Sequence, residues 1–308
     1  HKLLLLKNER IEEQNEYLKE YQEELIAQNA ELYAQQEEIE AQSDLIMAQH
    51  DRINYQNTEI HQGLSYARRI QKSIMPKETK LLEFFPKSFL LFEPKDILSG
   101  DFFWTSALAS KRIVAVADCT GHGVPGAMLS MLGMASLNEI VLNSLNTEPG
   151  FILEKLRRRV IRSLQYAQEQ SVTHDGMDIA LCVFDTSNNT VQYAGAYNSL
   201  IHVCNGIFME YFADRMPIGT HNGKLPPFTT QTIQYHSGDV FYLFSDGYAD
   251  QFGGPDSKKF KKTAFKNYLF EIHQHPMQDQ KELLGHTFHT WRGDREQIDD
   301  VTVVGIRI

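Results

Sequence analysis

A seven-residue apolar repeat limits most strongly what this chain can fold into. Leu4, Ile11, Leu18, Leu25, Leu32, Ile39, Ile46, Ile53, Ile60, Ala67 and Ile74 follow at steps of seven, and only Ala67 is small. A period of 3.5 residues per turn keeps one seam facing a partner helix and imposes a left-handed supercoil. The spacing predicts a continuous helix from residue 4 to 74, roughly 100 Å long at about 1.5 Å per residue. Its other positions are rich in Glu and Gln, with no proline and with Gly63 as the one glycine. So polar a helix is not stable alone, because most helical stability comes from packing. With the repeat taken as d, the a row reads Asn8, Asn15, Gln22, Asn29, Gln36, Ser43, His50, Asn57 and Leu64. Asparagine at a favours a parallel, in-register dimer at a cost in stability. The expectation for residues 1–62 is a weak, tunable homodimeric coiled coil rather than a solvated spacer.

Residues 63–80 read as a helical linker. Leu64, Ala67, Ile70 and Ile74 keep helical spacing until Pro76 ends the helix. A signal from the coil would pass through this segment. From residue 81 to 308 the pattern changes to strands and turns. Strands are expected at 88–92, 113–117, 179–184, 191–194, 200–203, 207–211, 240–244 and 301–308, with turns at Asn188-Asn189 and Asn205-Gly206. Helices are expected at 126–142, 149–167, 259–273 and 276–291. Two central helices between blocks of antiparallel strands indicate an α+β sandwich. The 42% apolar content is enough for its core.

The formal charge of −10 leaves no basic stripe to track phosphates, which argues against nucleic acid as a partner. Cys119, Cys182 and Cys204 form no CxxC pair, and their odd number fits a reducing cytoplasm rather than a disulfide framework. Cys182 and Cys204 sit in apolar runs and are expected in the core. No run of 18 apolar residues marks a membrane span. The first residue is His rather than Met, so an upstream sensor domain is compatible with this sequence.

The chemistry is carried by acidic residues placed where apolar runs meet turns. They stand in Ser99-Gly100-Asp101, in Ala117-Asp118-Cys119-Thr120-Gly121-His122-Gly123, in Phe244-Ser245-Asp246-Gly247 and in Ile298-Asp299-Asp300-Val301. If the strands pair, several carboxylates converge. Such a group persists only when hydrogen-bonded, protonated or neutralised by a cation. Hard cations such as Mg2+ and Mn2+ take oxygen ligands. The glycines after Asp118 allow close backbone approach to a ligand, and the helix that follows aims its N-terminal amides at an anion. Taken alone, either Asp299 or Asp300 could be the ligand.

Together with Gly176-Met-Asp-Ile-Ala-Leu-Cys182, Tyr193-Ala-Gly-Ala196 and Met216-Pro-Ile-Gly219, this set resembles the metal-dependent protein phosphatases of type 2C, in their bacterial SpoIIE and RsbU-like branch. The resemblance covers residues 81–308. It implies an αββα sandwich: two antiparallel sheets flanked by helices, here preceded by the long coiled-coil helix. It also implies two Mn2+ or Mg2+ ions. Asp118 would bridge them, the carbonyl of Cys119 would bind one, Asp246 and Asp299 would complete the shell of the first ion, and Asp101 would serve the second ion directly or through water. Asp299 is chosen over Asp300 because the family's ligand is the first of the acidic pair. The implied reaction is in-line attack of a metal-activated water on a phosphoserine or phosphothreonine. The implied substrates are small phosphorylated regulators of the anti-sigma-factor-antagonist type.

Two departures stand out. Cys119 and Thr120 separate Asp118 from Gly121-His122-Gly123, so His122 is offset from the general-acid position of the eukaryotic branch. The phosphate-binding arginine of that branch has no clear match, and Lys95 is the substitute. Asp178 is either beside the metal shell or a buried hydrogen-bonded carboxylate. The competing functions are a pseudophosphatase scaffold and a hydrolase of small phosphoesters.

Overall fold

The computed structural model describes residues 2–144, 146–165, 175–221 and 225–308. The chain divides into two units, His1–Gly63 and Leu64–Ile308. The first helix, α1, spans Lys2–Ile74. Every described residue from 2 to 63 is exposed within the single chain, including the apolar repeat, with Leu4 at 69% and Ile39 at 64%. An apolar seam this long has nothing to pack against in its own unit.

In the second unit, α2 (Glu78–Phe84) leads into β1 (Ser88–Glu93), β2 (Phe102–Leu108) and β3 (Lys111–Cys119). Then come α3 (Gly123–Leu142), α4 (Pro149–Gln165), β4 (Gly176–Asp185), β5 (Thr190–Ala196), β6 (Leu200–Cys204), β7 (Ile207–Tyr211), β8 (Ile218–Gly219) and β9 (Gln231–Gln234). The last part holds β10 (Val240–Phe244), α5 (Gly247–Asp250), the short β11 (Phe252–Gly253) and β12 (Lys258–Lys259), α6 (Lys262–Ile272), α7 (Met277–Arg292) and β13 (Val301–Arg307). One sheet runs β1-β13-β10-β6-β7 and the other β2-β3-β4-β5-β9, with β8 added on β4. All their ladders are antiparallel.

Three apolar layers hold the sandwich. Phe103, Val116, Leu200, Phe241 and Val304 fill the space between the sheets. Leu129, Leu137, Leu153 and Leu156 of α3 and α4 cover the outer face of one sheet against Ala115 and Leu181. Phe265, Leu284 and Phe288 of α6 and α7 cover the other against Tyr242 and Val303. This is the expected αββα order. By length and composition alone α3 could cross a membrane, but Ala127, Leu129, Met134 and Leu137 are buried in this core.

The differences from the sequence reading are local. The aromatic run Phe102-Phe103-Trp104 is a strand, β2, joined to β3 by a tight turn with Ala109 at φ +53. The edge strand β9 was not anticipated. Helix α3 begins three residues early, and α6 begins late because Lys261 sits at φ +77. Residues 166 and 167 of the expected second helix lie outside the described residues. Cys182 is buried as expected, whereas Cys204 is only half-buried.

Candidate metal centre

Strand register brings the acidic motifs to one end of the sandwich. In one sheet, Phe102 pairs with Ala117 and Asp118 pairs with Asp178. Asp101 immediately precedes β2, so one more register step sets it across from Asp118. In the other sheet, Phe244 pairs with Val303, and Ser245 N–H donates to Thr302 O at 2.9 Å. Asp246 therefore leaves β10 where Asp299 and Asp300 enter β13. Gly247 makes that approach possible, because a Cβ there would lie 2.0 Å from Asp300 O.

The carboxylates act on one another. Burial, then Asp101, Asp246, Asp299 and Asp178 in that order, push the Asp118 carboxyl up to about 10. Burial is also the largest cause at Asp101, with Asp300 and Asp299 adding to it, and its carboxyl rises to about 8 although Ser245 and Thr302 hydroxyls oppose the shift. Asp178 rises to about 6 through burial and Asp246, moderated by Lys262. Asp299 is raised by burial, helped by Asp246 and Asp300, and opposed by the Asp300 N–H and Lys95. Like charges this close hold protons unless a cation replaces them. An all-oxygen donor set fits Mg2+ or Mn2+, so the residues present suit the ions the family implies.

Each carboxylate is held by named contacts. Asp101 accepts the Thr302 hydroxyl at 2.8 Å and is 1% exposed. Asp300 is a clamp: its two oxygens accept Lys95 N–H at 2.8 Å and Gly100 N–H at 2.7 Å. Its own N–H donates to Asp299 Oδ1 at 2.9 Å. Both Asp300 oxygens are thus taken by backbone amides, and Asp299 is the member of the pair whose charge reaches Asp118. Gln251, fully buried, accepts Ile298 N–H and donates to Glu296 O, which fixes the turn before Asp299.

The turn after Asp118 depends on glycine. Gly121 and Gly123 have φ +84 and +67, and a Cβ on Gly126 would meet Gly121 O at 2.1 Å. A Cβ on Gly100 would lie 3.3 Å from Cys119 O, so that carbonyl faces the Asp101 loop. The Cys119 thiol is pushed well up by burial, then by Asp118, and so is no nucleophile.

His122 occupies the N-cap position of α3 without a side-chain capping bond and is exposed, with Nδ1 2.8 Å from Asp96 Oδ2. The structure thus pairs it with Asp96. Lys95 is half-buried, and its charge reaches Asp299. Sequence reasoning missed Ser245, Thr302 and Gln251 as supports. The first two stand beside acidic motifs at strand ends, which is a usable signal; Gln251 has none.

The family description "Stage II sporulation protein E (SpoIIE)" matches residues 110–308. The chain belongs to the SpoIIE family. The SpoIIE-family sandwich, with its metal-dependent phosphatase fold of type 2C, thus stands on both fold and match. Among solved structures, the chain is similar to the SiaA-PP2C domain of Pseudomonas aeruginosa, at 29% identity and TM-score 0.74, over 82% of this chain and 98% of that one. It is also similar to the PP2C phosphatase domain with a regulatory fragment of SpoIIE from Bacillus subtilis, at 18% identity and TM-score 0.60, over 72% of this chain and 63% of that one. A third is the catalytic domain of the serine/threonine protein phosphatase PstP in complex with 2 manganese ions, at 16% identity and TM-score 0.53, over 71% of this chain and 96% of that one. The last two likenesses show the fold alone. The chain matches no curated protein.

Proposed function

We propose that this chain hydrolyses phosphoserine and phosphothreonine in proteins, using two Mn2+ or Mg2+ ions. Asp118, Asp246 and Asp299, the Cys119 carbonyl and, from the second side, Asp101 would hold the ions. The carrying observation is the convergence of carboxylates from both sheets at one end of a SpoIIE-family sandwich. When bound, the ions lower the pKa of water and offset charge on the phosphoryl group. The protein's own part is to fix the carboxylates through Thr302, Ser245 and Asp300, and to place Lys95 beside Asp299 as a cation for phosphate. His122, paired with Asp96 and four residues after Asp118, would be the candidate proton donor.

Regulation is proposed to run through α1. Gln71, 4% exposed, donates to Ser99 O at 2.6 Å and to Ser130 Oγ at 2.9 Å, and its Oε1 accepts Ser99 N–H at 3.3 Å. Ser99 immediately precedes Gly100, whose N–H goes to Asp300. The helix is therefore tied by hydrogen bonds to the loop that carries Asp101. A dimer formed by the exposed seam would set the position of Gln71. The favoured substrate is a small phosphorylated regulator of the anti-sigma-factor-antagonist type, encountered in the cytoplasm.

A substrate panel tests the reading. With Mn2+, phosphoserine and phosphothreonine peptides should turn over well above phosphotyrosine peptides and nucleotides. A preference for small phosphoesters would instead support a metabolite phosphohydrolase.

A further inference from the structure

At the other end of β10 lies a second group of ligating side chains with different chemistry. His202 and Cys204 are two apart on β6, so both side chains share one face of the strand. Val240 pairs with Val203 and Phe241 with His202. One further register step sets Asp239 across from Cys204, on that same face. One His202 nitrogen, Cys204 Sγ and an Asp239 carboxylate oxygen all lie within 4.8 Å of one another. His202 Nε2 is 2.9 Å from Asp239 Oδ2, and both residues are buried, at 1% and 2% exposure. His236 donates its N–H to the same oxygen at 3.0 Å, and its ring Nδ1 is 4.0 Å from it.

Asp239 also accepts the Cys204 side chain, so imidazole and thiol meet at one carboxylate. The other ring nitrogen of His202, Nδ1, is buried with no hydrogen-bond partner among the described residues. The ring is stacked on Phe241, with centroids 4.2 Å apart, and faces Tyr211 at 6.3 Å. These rings wall off the imidazole, and a hydrophobic wall beside a metal site limits solvent access and lowers the local dielectric. This donor set suits Zn2+ rather than Mg2+, because thiolate and imidazole are softer than oxygen. Asp239 precedes β10 and Asp246 follows it, which places the two groups about 23 Å apart at about 3.3 Å per residue.

We propose that His202, Cys204 and Asp239 form a transition-metal site for Zn2+, separate from the acidic centre, with a fourth position within reach of His236. Binding releases the Cys204 thiol proton to solvent and takes His202 as neutral imidazole, its ring proton on the nitrogen away from the metal. The proposal is independent of the phosphatase reading.

Co2+ and Zn2+ added to the intact chain provide the test. Co2+ should give a near-ultraviolet sulfur-to-cobalt band that Zn2+ removes. The band should persist in Asp118→Asn and vanish in Cys204→Ser. In the unmodified chain, Zn2+ should slow alkylation of Cys204 about tenfold once the free ion is tenfold above its Kd, and Mg2+ should not. No band, a band that survives Cys204→Ser, or alkylation unaffected by Zn2+ would overturn the proposal.

Discussion

Asp118 faces Asp178 across the β3–β4 ladder and feels Asp101, Asp246 and Asp299 as well. Such a carboxylate has a consequence for pH. A carboxyl whose pKa is raised on folding binds more protons folded than unfolded, so the stability it leaves intact is greatest below its unfolded value of 3.8 and is lost as pH rises toward its folded value. Asp178, Asp101 and Asp118, raised to about 6, 8 and 10, place that loss from pH 4 upward. In chelator, the melting temperature of the protein should therefore fall as pH rises from about 4 to 8. Mn2+ should reverse the trend, because protons then compete with the metal. Thermal melts at several pH values with and without Mn2+ check this. A metal-free melting temperature that climbs over the same range would contradict it.

Elements decide which of these residues could be found from sequence. The long helix was legible because its period is strict over ten steps, and the paired strands because their runs end in Asn-Gly or Asn-Asn turns, with Asn189, Asn205 and Gly206 at φ +54, +50 and +72. The candidate metal-binding aspartates were legible because each stands where an apolar run meets a turn. Strand β2 was hidden, since aromatic residues buried on both faces leave no alternation. From the residues alone Asp299 and Asp300 were equivalent, and only the fold sets Asp300 apart, through the Lys95 and Gly100 amides it accepts. Gln71 was invisible for a related reason: it reads as one more polar residue of a polar helix, yet it is buried against Ser99 and Ser130. Gln71→Ala should leave the fold intact at a cost of about 1–3 kcal/mol. It should weaken Mn2+ binding by roughly tenfold, as supports of a metal shell do. Calorimetric titration reads the second effect, and unchanged Mn2+ affinity would remove Gln71 from the regulatory account.

On the scale of the whole molecule, the two units pose different physical problems. The sandwich buries most of its apolar residues in three layers. The first unit exposes Leu18, Ile39 and Ile60 by more than half, which a second copy of the seam would cover. The intact chain should sediment as a dimer. Ile39→Asp with Ile46→Asp should convert it to a monomer without lowering the melting temperature of the sandwich, and should change turnover if the coil regulates the site. Wild-type protein sedimenting as a monomer would remove the coil from the account. The central claim is that the acidic end of the sandwich is the catalytic centre. Its most direct test is phosphate release from a phosphoserine peptide against Mn2+ concentration, for the intact chain and for Asp118→Asn. The account predicts turnover that rises with Mn2+, stops in chelator and falls about a hundredfold or more in the variant. Hydrolysis that ignores Mn2+, or an Asp118→Asn curve that overlies the wild type, would contradict it.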